Sequence, residues 1–429
     1  MADQTWRSRG GLMLAGGVAF GGLLLTSCAL PGTSAPSVGN IGTVHVAGVP
    51  AVAAPPTIVV SPSNSAEGVA LDAPISVAVN TGHLDTVSLS EAGSSTALPG
   101  TMSADGRLWQ MSQPLDQGAH YTVVATATST AGSTSTSTTT FVTTTARSRL
   151  LTGMTPYDGA VVGVGETIDL RFNVNIPVGV RAALLEHIQV TSTPAVMGGW
   201  HWLTADVVHF RPATFWPAGT KVTVNANLKG FSVGNGIWGL GDWSSSFTVG
   251  AKHVSLINNL THTMQIFNNG RLIATYPVSL GKGGFATIQG TLIVLYKTPV
   301  VVMKSCPTFH TPAACIPGGA QYYDDPVYDD TAISTSGYFI HAAPWSVGSQ
   351  GRADVSHGCV NLSTARAVMY YNFSIPGDVV QISNTGYNAS YSDGEGDWQL
   401  SFAAFSNTAG LGPVWTGPVG LSSLAGQDS

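Results

Sequence analysis

Two histidines and one cysteine, spaced around a glycine, are the part of this chain equipped for covalent chemistry. The run begins His341-Ala342-Ala343-Pro344-Trp345 and ends Ser356-His357-Gly358-Cys359-Val360-Asn361, with fourteen residues between His341 and Ser356. A free thiol has a pKa near 8.5, so only a few per cent is thiolate at neutral pH. A nearby imidazole that takes the thiol proton makes it a usable nucleophile. The glycine beside the cysteine lets backbone N–H groups approach a carbonyl oxygen that becomes negative during attack. The pattern therefore predicts thiolate acyl transfer, with Cys359 as nucleophile and no metal or cofactor required.

The run resembles the signature of the L,D-transpeptidases: a His, fourteen to seventeen residues, Ser or Thr, His-Gly-Cys, a hydrophobic residue and Asn. Every element is present. The resemblance implies that His341 is the base and that the main-chain carbonyl of Ala342 orients its ring, at a position where relatives often carry Ser. It implies that His357, with the N–H groups of Gly358 and Cys359, shapes the oxyanion site. A Tyr eighteen positions before the His, Tyr323, with Tyr322 beside it as the fallback, is assigned to the acyl site. Ser336, Gly337, Ser356 and Asn361 are assigned to donor-peptide contacts, and Trp345 and Met303 to the cleft wall. Either could be ordinary core, and for Met303 core is the better reading. The implied reaction transfers a tetrapeptide stem from its D-alanine to the side-chain amine of a second stem's diaminopimelate, giving a 3→3 cross-link. Carbapenems are the implied inhibitors. Water as acceptor would make the chain an L,D-carboxypeptidase, and the motif does not separate the two. A papain-like protease would place its Cys before its His, the reverse of the order here. A non-catalytic wall-binding lipoprotein would not need the intact His, Gly and Cys.

Strands must deliver these groups. Residues 337–341 read as a strand ending at His341, and residues 379–383 as another. Ser363 can cap a short helix over residues 364–372. The C-terminal module starts near Lys252, with strands over 272–278 and 291–295. Ser279-Leu280-Gly281-Lys282 ends one strand, and Lys282 reads as an exposed turn lysine. Relatives carry Thr-Pro-x-Gly soon after; this chain has Thr287-Ile288-Gln289-Gly290. Residues 303–336 are rich in Pro, Gly and Asp with little periodicity, and read as a lid loop over the cleft. Trp398, Phe402 and Phe405 fall at i, i+4 and i+7, one helical face, expected to pack on the catalytic module.

Upstream, the chain repeats itself. Leu115, Gly118, Tyr121 and Val123 match Trp216, Gly219, Val222 and Val224 at an offset of 101 residues. Ser61-Pro62 precedes a strand over Ile75–Val79, and Thr155-Pro156 precedes one over Ile168–Phe172. Two β-sandwiches are expected, resembling the bacterial immunoglobulin-like modules of mycobacterial-type L,D-transpeptidases. The Ser/Thr-rich residues 126–145 read as a β-hairpin rather than a glycosylated stalk. The loop at 230–236 offers Ser232 and Asn235 instead of carboxylates, so no calcium is expected. The fold class is mainly β: two Ig-like sandwiches (56–147 and 148–250), a β-rich catalytic domain with short helices (251–384), and an extension (385–429).

Composition agrees with an exported β protein. Of 429 residues, 44% are hydrophobic and 9% charged, with net charge −6, which excludes a basic nucleic-acid surface. Arg7 and Arg9 precede an apolar stretch over residues 10–25 that ends Leu25-Thr26-Ser27-Cys28. This resembles a lipobox, with Cys28 the lipidated residue, residues 1–28 the signal and 29–55 a tether. The expected address is the outer face of the cytoplasmic membrane, lipid-anchored and facing the wall. An uncleaved anchor is the rival, although sixteen Gly-rich residues are short for a membrane span of about twenty. Taking Cys28 and Cys359 for these roles leaves Cys306 and Cys315, for which export favours a disulfide. A metal site through His310 is the alternative, at a spacing unlike known zinc motifs.

Overall fold

The computed structural model describes residues 54–306, 312–319, 321–393 and 396–417. The leader, Cys28, most of the tether and His310 lie outside the described residues.

The first sandwich packs a four-stranded sheet (Ile58–Ser61, Ile75–Val79, Leu108–Met111, Thr101–Met102) on a second one (Ala66–Val69, Thr134–Thr143, His120–Thr128, His83–Glu91). The Ser/Thr-rich segment is a hairpin, with Tyr121 opposite Phe141 and their rings stacked at 5.3 Å. Alternate residues face inward, so Tyr121, Val123, Ala125 and Ala127 are all buried, while the threonines between them need no core. The second sandwich repeats the plan around Trp200, Phe210 and Trp216. The matched positions of the repeat play the same parts: Leu115 and Trp216 are 2% and 1% exposed, and Gly118 and Gly219 both have positive φ.

The C-terminal module holds two sheets. We number its strands β1 (His253–Asn258), β2 (Thr263–Asn268), β3 (Arg271–Pro277), β4 (Gly290–Ile293), β5 (Tyr296–Lys304), β6 (Asp324–Ala332), β7 (Phe339–Ala342), β8 (Val360–Leu362) and β9 (Val379–Ser383). Helix α1 spans Thr364–Phe373. One sheet runs β3-β2-β1-β9-β4 and the other β5-β6-β7-β8. Ile340, Ala342, Val360 and Leu362 share a core with Ala367 and Tyr370 of α1. Because side chains alternate along a strand, His341 and Asn361 are turned to the opposite face. Ser363 occupies the N-cap of α1, but its side chain makes no capping hydrogen bond, unlike the expected cap.

Two expectations need correction. The segment at 303–336 is not an irregular loop. β5 and β6 form a long antiparallel hairpin from Tyr296↔Ala332 to Lys304↔Asp324. Its valines and Tyr328 supply β propensity that the Pro and Asp content hides. Between these strands the described residues include a short helix, Pro312–Cys315, and there Cys306 and Cys315 form a disulfide with Cα atoms 4.3 Å apart, which removes both thiols from any metal site.

The extension, likewise, does not pack mainly on the catalytic module, nor is its aromatic stripe one helix. Trp398 lies in a 3-10 turn (Gly396–Gln399), and Phe402 and Phe405 in helix α2 (Phe402–Ser406). All three rings close on Arg211 of the second sandwich, at 4.5, 5.6 and 4.7 Å. A fully buried guanidinium requires acceptors and π faces, and the extension supplies both, with Leu400 O accepting from Arg211 at 2.9 Å. Pro413–Trp415 then adds antiparallel to the open edge of Met197–Trp202. Sandwich and catalytic module also meet directly. Gly163 N–H donates to Pro376 O, and a Cβ on Gly163 would lie 2.1 Å from Asp378 N.

Candidate active site

β7 and β8 run parallel, with Ile340 opposite Val360, His341 opposite Asn361 and Ala342 opposite Leu362. Cys359 leads into β8 on the face shared by His341 and Asn361. The pairing register thus brings the base and the thiol together on one sheet face.

His341 is 3% exposed, and its Nδ1 lies 2.9 Å from the Ala342 carbonyl oxygen. A carbonyl only accepts, so Nδ1 carries the proton and Nε2 is left with its lone pair. Burial lowers the imidazole to about 4, and the Ala342 bond opposes this only in part. The Cys359 thiol is only partly covered, and its Sγ points at the Gly337 carbonyl oxygen at 3.8 Å. Its surroundings push it up to about 12. Both shifts disfavour charge, so the resting pair is neutral thiol and neutral imidazole.

The loop before Cys359 is pinned from the other sheet. Ser356 N–H donates to Leu280 O, and Lys282 N–H to Ser356 O. Asp354 Oδ1 accepts from Leu280 N–H at 3.1 Å, and Ser279 Oγ accepts from Val355 N–H. The Ser-Leu-Gly-Lys turn is therefore the brace of the nucleophile loop. Ser356 itself is 7% exposed, and its hydroxyl donates to Cys359 O and accepts from Gly358 N–H. This changes two expectations. Ser356 holds the loop and is not presented to a ligand. The Gly358 N–H is already engaged, so it is not a free oxyanion donor, and the Cys359 N–H is the donor left in that turn. Gly358 is required for shape: its φ is +127°, and a Cβ would lie 2.8 Å from the Tyr338 ring.

Asn361 is also not presented to a ligand. It is 3% exposed and donates from Nδ2 to Ser346 Oγ, which also receives Gln350 Nε2. This buried network fixes the turn after His341, and nothing in the sequence pattern singled out Ser346 or Gln350. Trp345 stands at the cleft, 65% exposed, with its ring 6.3 Å from that of His341. Met303, on the lid strand β5, is half-buried.

A group of aromatic rings gathers on His357. The Tyr323 ring lies 5.0 Å from the His357 ring, and Phe285 4.9 Å from it on an edge-to-face approach. Lys282 is half-buried, not an exposed turn residue; its ammonium lies 5.5 Å from the Phe285 ring. Burial first, and Lys282 second, hold His357 below its usual pKa. Tyr323 is placed by Ser305, which is wholly buried, accepts the Tyr323 N–H and donates to Ala314 O beside the disulfide. Tyr322 is held at the tip by Gly319 O. Ser336 is exposed and donates to Asp393 of the extension at 2.6 Å, while Gly337 takes φ +92°. Asp393 had no signal in the sequence, since its proximity comes only from the extension folding back.

Comparison with known proteins gives a consistent picture. A bacterial Ig domain family matches residues 66–232, and an L,D-transpeptidase catalytic domain family matches residues 252–382. L,D-transpeptidase 2 of Mycobacterium tuberculosis is 35% identical over 347 residues, covering 80% of this chain and 83% of the relative. L,D-transpeptidase 5 of the same species is 31% identical, covering 83% and 78%. A solved L,D-transpeptidase from Mycobacterium smegmatis is 32% identical, covering 55% of this chain and 99% of that one, with a TM-score of 0.45.

Proposed function

The chain belongs to the L,D-transpeptidase family, and from that premise we propose that it builds 3→3 peptidoglycan cross-links through a Cys359 thioester. It is an acyltransferase of the cell wall. The observation that carries the residue assignment is the shared face of β7 and β8. There the one free thiol among the described residues sits beside an imidazole whose bare nitrogen is fixed by the Ala342 carbonyl.

Cys359 Sγ attacks the carbonyl carbon of the L-centre of diaminopimelate as its proton passes to His341 Nε2. The oxyanion forms at the Cys359 N–H. Collapse breaks the C–N bond, His341 returns the proton to the departing D-alanine amine, and a thioester remains. The acceptor amine attacks the thioester and gives a proton to His341. The C–S bond breaks and the thiol is restored. Tyr323 and Ser336 are the side chains assigned to the donor stem. Water in place of the amine would give the carboxypeptidase reaction. The same thiol would open the strained lactam of a carbapenem, since that carbonyl can sit where the stem carbonyl does. Lipid attachment at Cys28 would hold the enzyme at the outer face of the cytoplasmic membrane, where an exported disulfide is stable.

Intact mass spectrometry tests this. Incubation with a tetrapeptide stem, or with imipenem, should add one acyl group per chain, mapped to Cys359 and missing from Cys359→Ala. The variant should melt within a degree or two of the parent, because a small, partly open thiol is removed. Cross-linking by Cys359→Ala would overturn the assignment.

A further inference from the structure

β6 carries a carboxyl group that the reaction above does not use. Asp330 is wholly buried, and neither of its carboxyl oxygens makes a well-formed hydrogen bond. The Val301 backbone N–H leans towards it and favours its charge, against the larger effect of burial. Such groups are rare in folded proteins, because a buried carboxyl without partners is costly. Its place in the sheet is specific. Ala332 lies opposite Phe339, and a bulge at Asp329, with φ +55°, sets Asp329 and Asp330 against His341. Two residues along each strand from the Ala332–Phe339 pair, Asp330 and His341 come onto the same face. In strand order β6-β7-β8, His341 therefore stands between Asp330 and Cys359.

We propose that Asp330 is an electrostatic positioning residue of the catalytic centre, whose carboxylate stabilises the His341 imidazolium formed as Cys359 attacks. It acts through His341 and touches no substrate. The sign follows from the order of the strands. Attack moves a proton from the far group to the near one, so the new positive charge lies closer to Asp330 than the new negative charge. A carboxylate there favours the transition state and opposes a free thiolate, and the charge of Asp330 does raise the Cys359 thiol. Burial places the Asp330 carboxyl at about 7, so it changes charge in the working range. The charged and titratable neighbours are few. β5 places Thr298 opposite Asp330, and Lys297 turns away to the Tyr371 and Ser374 carbonyls. Asp329 is the adjacent charge on β6, and it raises Asp330 slightly further. β7 contributes His341, and Cys359 leads into β8. Helix α1 covers the other face.

The experiment rests on Cys359 and His341 being the reacting pair, and its arms separate that reading from the inference. Acylation by imipenem is measured from pH 5 to 9 in the parent, Asp330→Asn and Asp330→Ala, alongside alkylation by iodoacetamide. The parent acylation rate should rise about three- to tenfold through pH 7, as expected for one charge at this range. Asp330→Asn should lose that rise, yet alkylate faster at high pH because its thiolate is no longer opposed. A merely structural role would move both reactions the same way. A parent profile flat through pH 7 would overturn the proposal without any variant, and so would an unchanged rise in a folded Asp330→Asn. Loss of acylation at every pH in His341→Ala confirms the premise; full activity there would sink the premise instead.

Discussion

At the scale of single residues, the active centre works with neutral groups. His341→Ala should slow acylation by roughly a hundredfold or more, the usual scale for a general base, while His357→Ala should cost less. Stopped-flow acylation decides it, and the reverse order would transfer the base to His357. Below the partial step at about pH 7 set by Asp330, activity should be lost altogether only near pH 4, because burial keeps His341 neutral down to that range. The same burial enters stability. The folded pKa is depressed, so the contribution is complete above 6.5 and is lost as pH falls through about 4. It amounts to something on the order of 3 kcal/mol. Denaturant titrations at pH 7 and pH 4.5 should differ in this direction, and His341→Gln should flatten the difference. An equal difference in the variant would refute it. The sequence made the reacting pair legible, because histidine and cysteine chemistry is written in residue types. It could not show which polar groups are engaged. Ser356 and Asn361 lie inside the motif and read as contacts, yet their hydrogen bonds run inward to Gly358, Cys359 and Ser346. Asp330 was invisible, since only a bulge brings it opposite His341.

At the scale of elements, the lid is a stiff hairpin with a bridged tip. Strand periodicity was masked there by Pro, Asp and Gly, whereas the strands at Ile75–Val79, Ile168–Phe172 and Val379–Ser383 announced themselves by unbroken apolar alternation or runs. The disulfide and Ser305 together fix the tip that carries Tyr323. A bridge closing about ten residues restricts the unfolded chain by roughly 2.5 kcal/mol in the entropy model. Cys306→Ser/Cys315→Ser should therefore raise hydrogen exchange across the hairpin tip and weaken use of the stem several-fold. Cys359 should react with iodoacetamide as before, since β7 and β8 do not depend on the tip. Unaltered exchange at the tip would show that Ser305 alone holds it. Alkylation of Cys359 that falls together with stem use would show the bridge acting on the nucleophile itself.

At the scale of the whole molecule, the extension ties the second sandwich to the catalytic module. It completes a sheet of the second sandwich through Pro413–Trp415 and stacks three aromatic rings on Arg211. It also donates Gln399 Nε2 to Thr291 O and accepts the Ser336 hydroxyl at Asp393. The repeat, and the two sandwiches it implies, could be read from spacing, and the order of modules from the family resemblance. The direction in which the aromatic stripe turns could not, because it depends on a buried arginine nearly two hundred residues away. Asp393 is held ionised by its bonds to Ser336 and Ser390, against the opposing effect of burial. Since Ser336 donates its proton to Asp393, the Ser334 hydroxyl 2.8 Å away donates to the Ser336 oxygen, and this chain of hydroxyls fixes the turn before Gly337. Arg211→Ala should leave the three rings without their cation and Leu400 O without its donor, at a cost of roughly 3 kcal/mol or more. The extension should then be nicked by protease in residues 396–417 while the sandwiches stay intact. Because Asp393 would lose its hold on Ser336, KM for the stem should rise several-fold in Arg211→Ala and in Asp393→Ala alike. The pair combined should add little beyond either, as expected for residues acting through one contact. Iodoacetamide should still alkylate Cys359 at the parent rate in all three. If the extension of Arg211→Ala resists protease and its KM is unchanged, the clamp contributes only to packing, and the link from second sandwich to donor site does not exist.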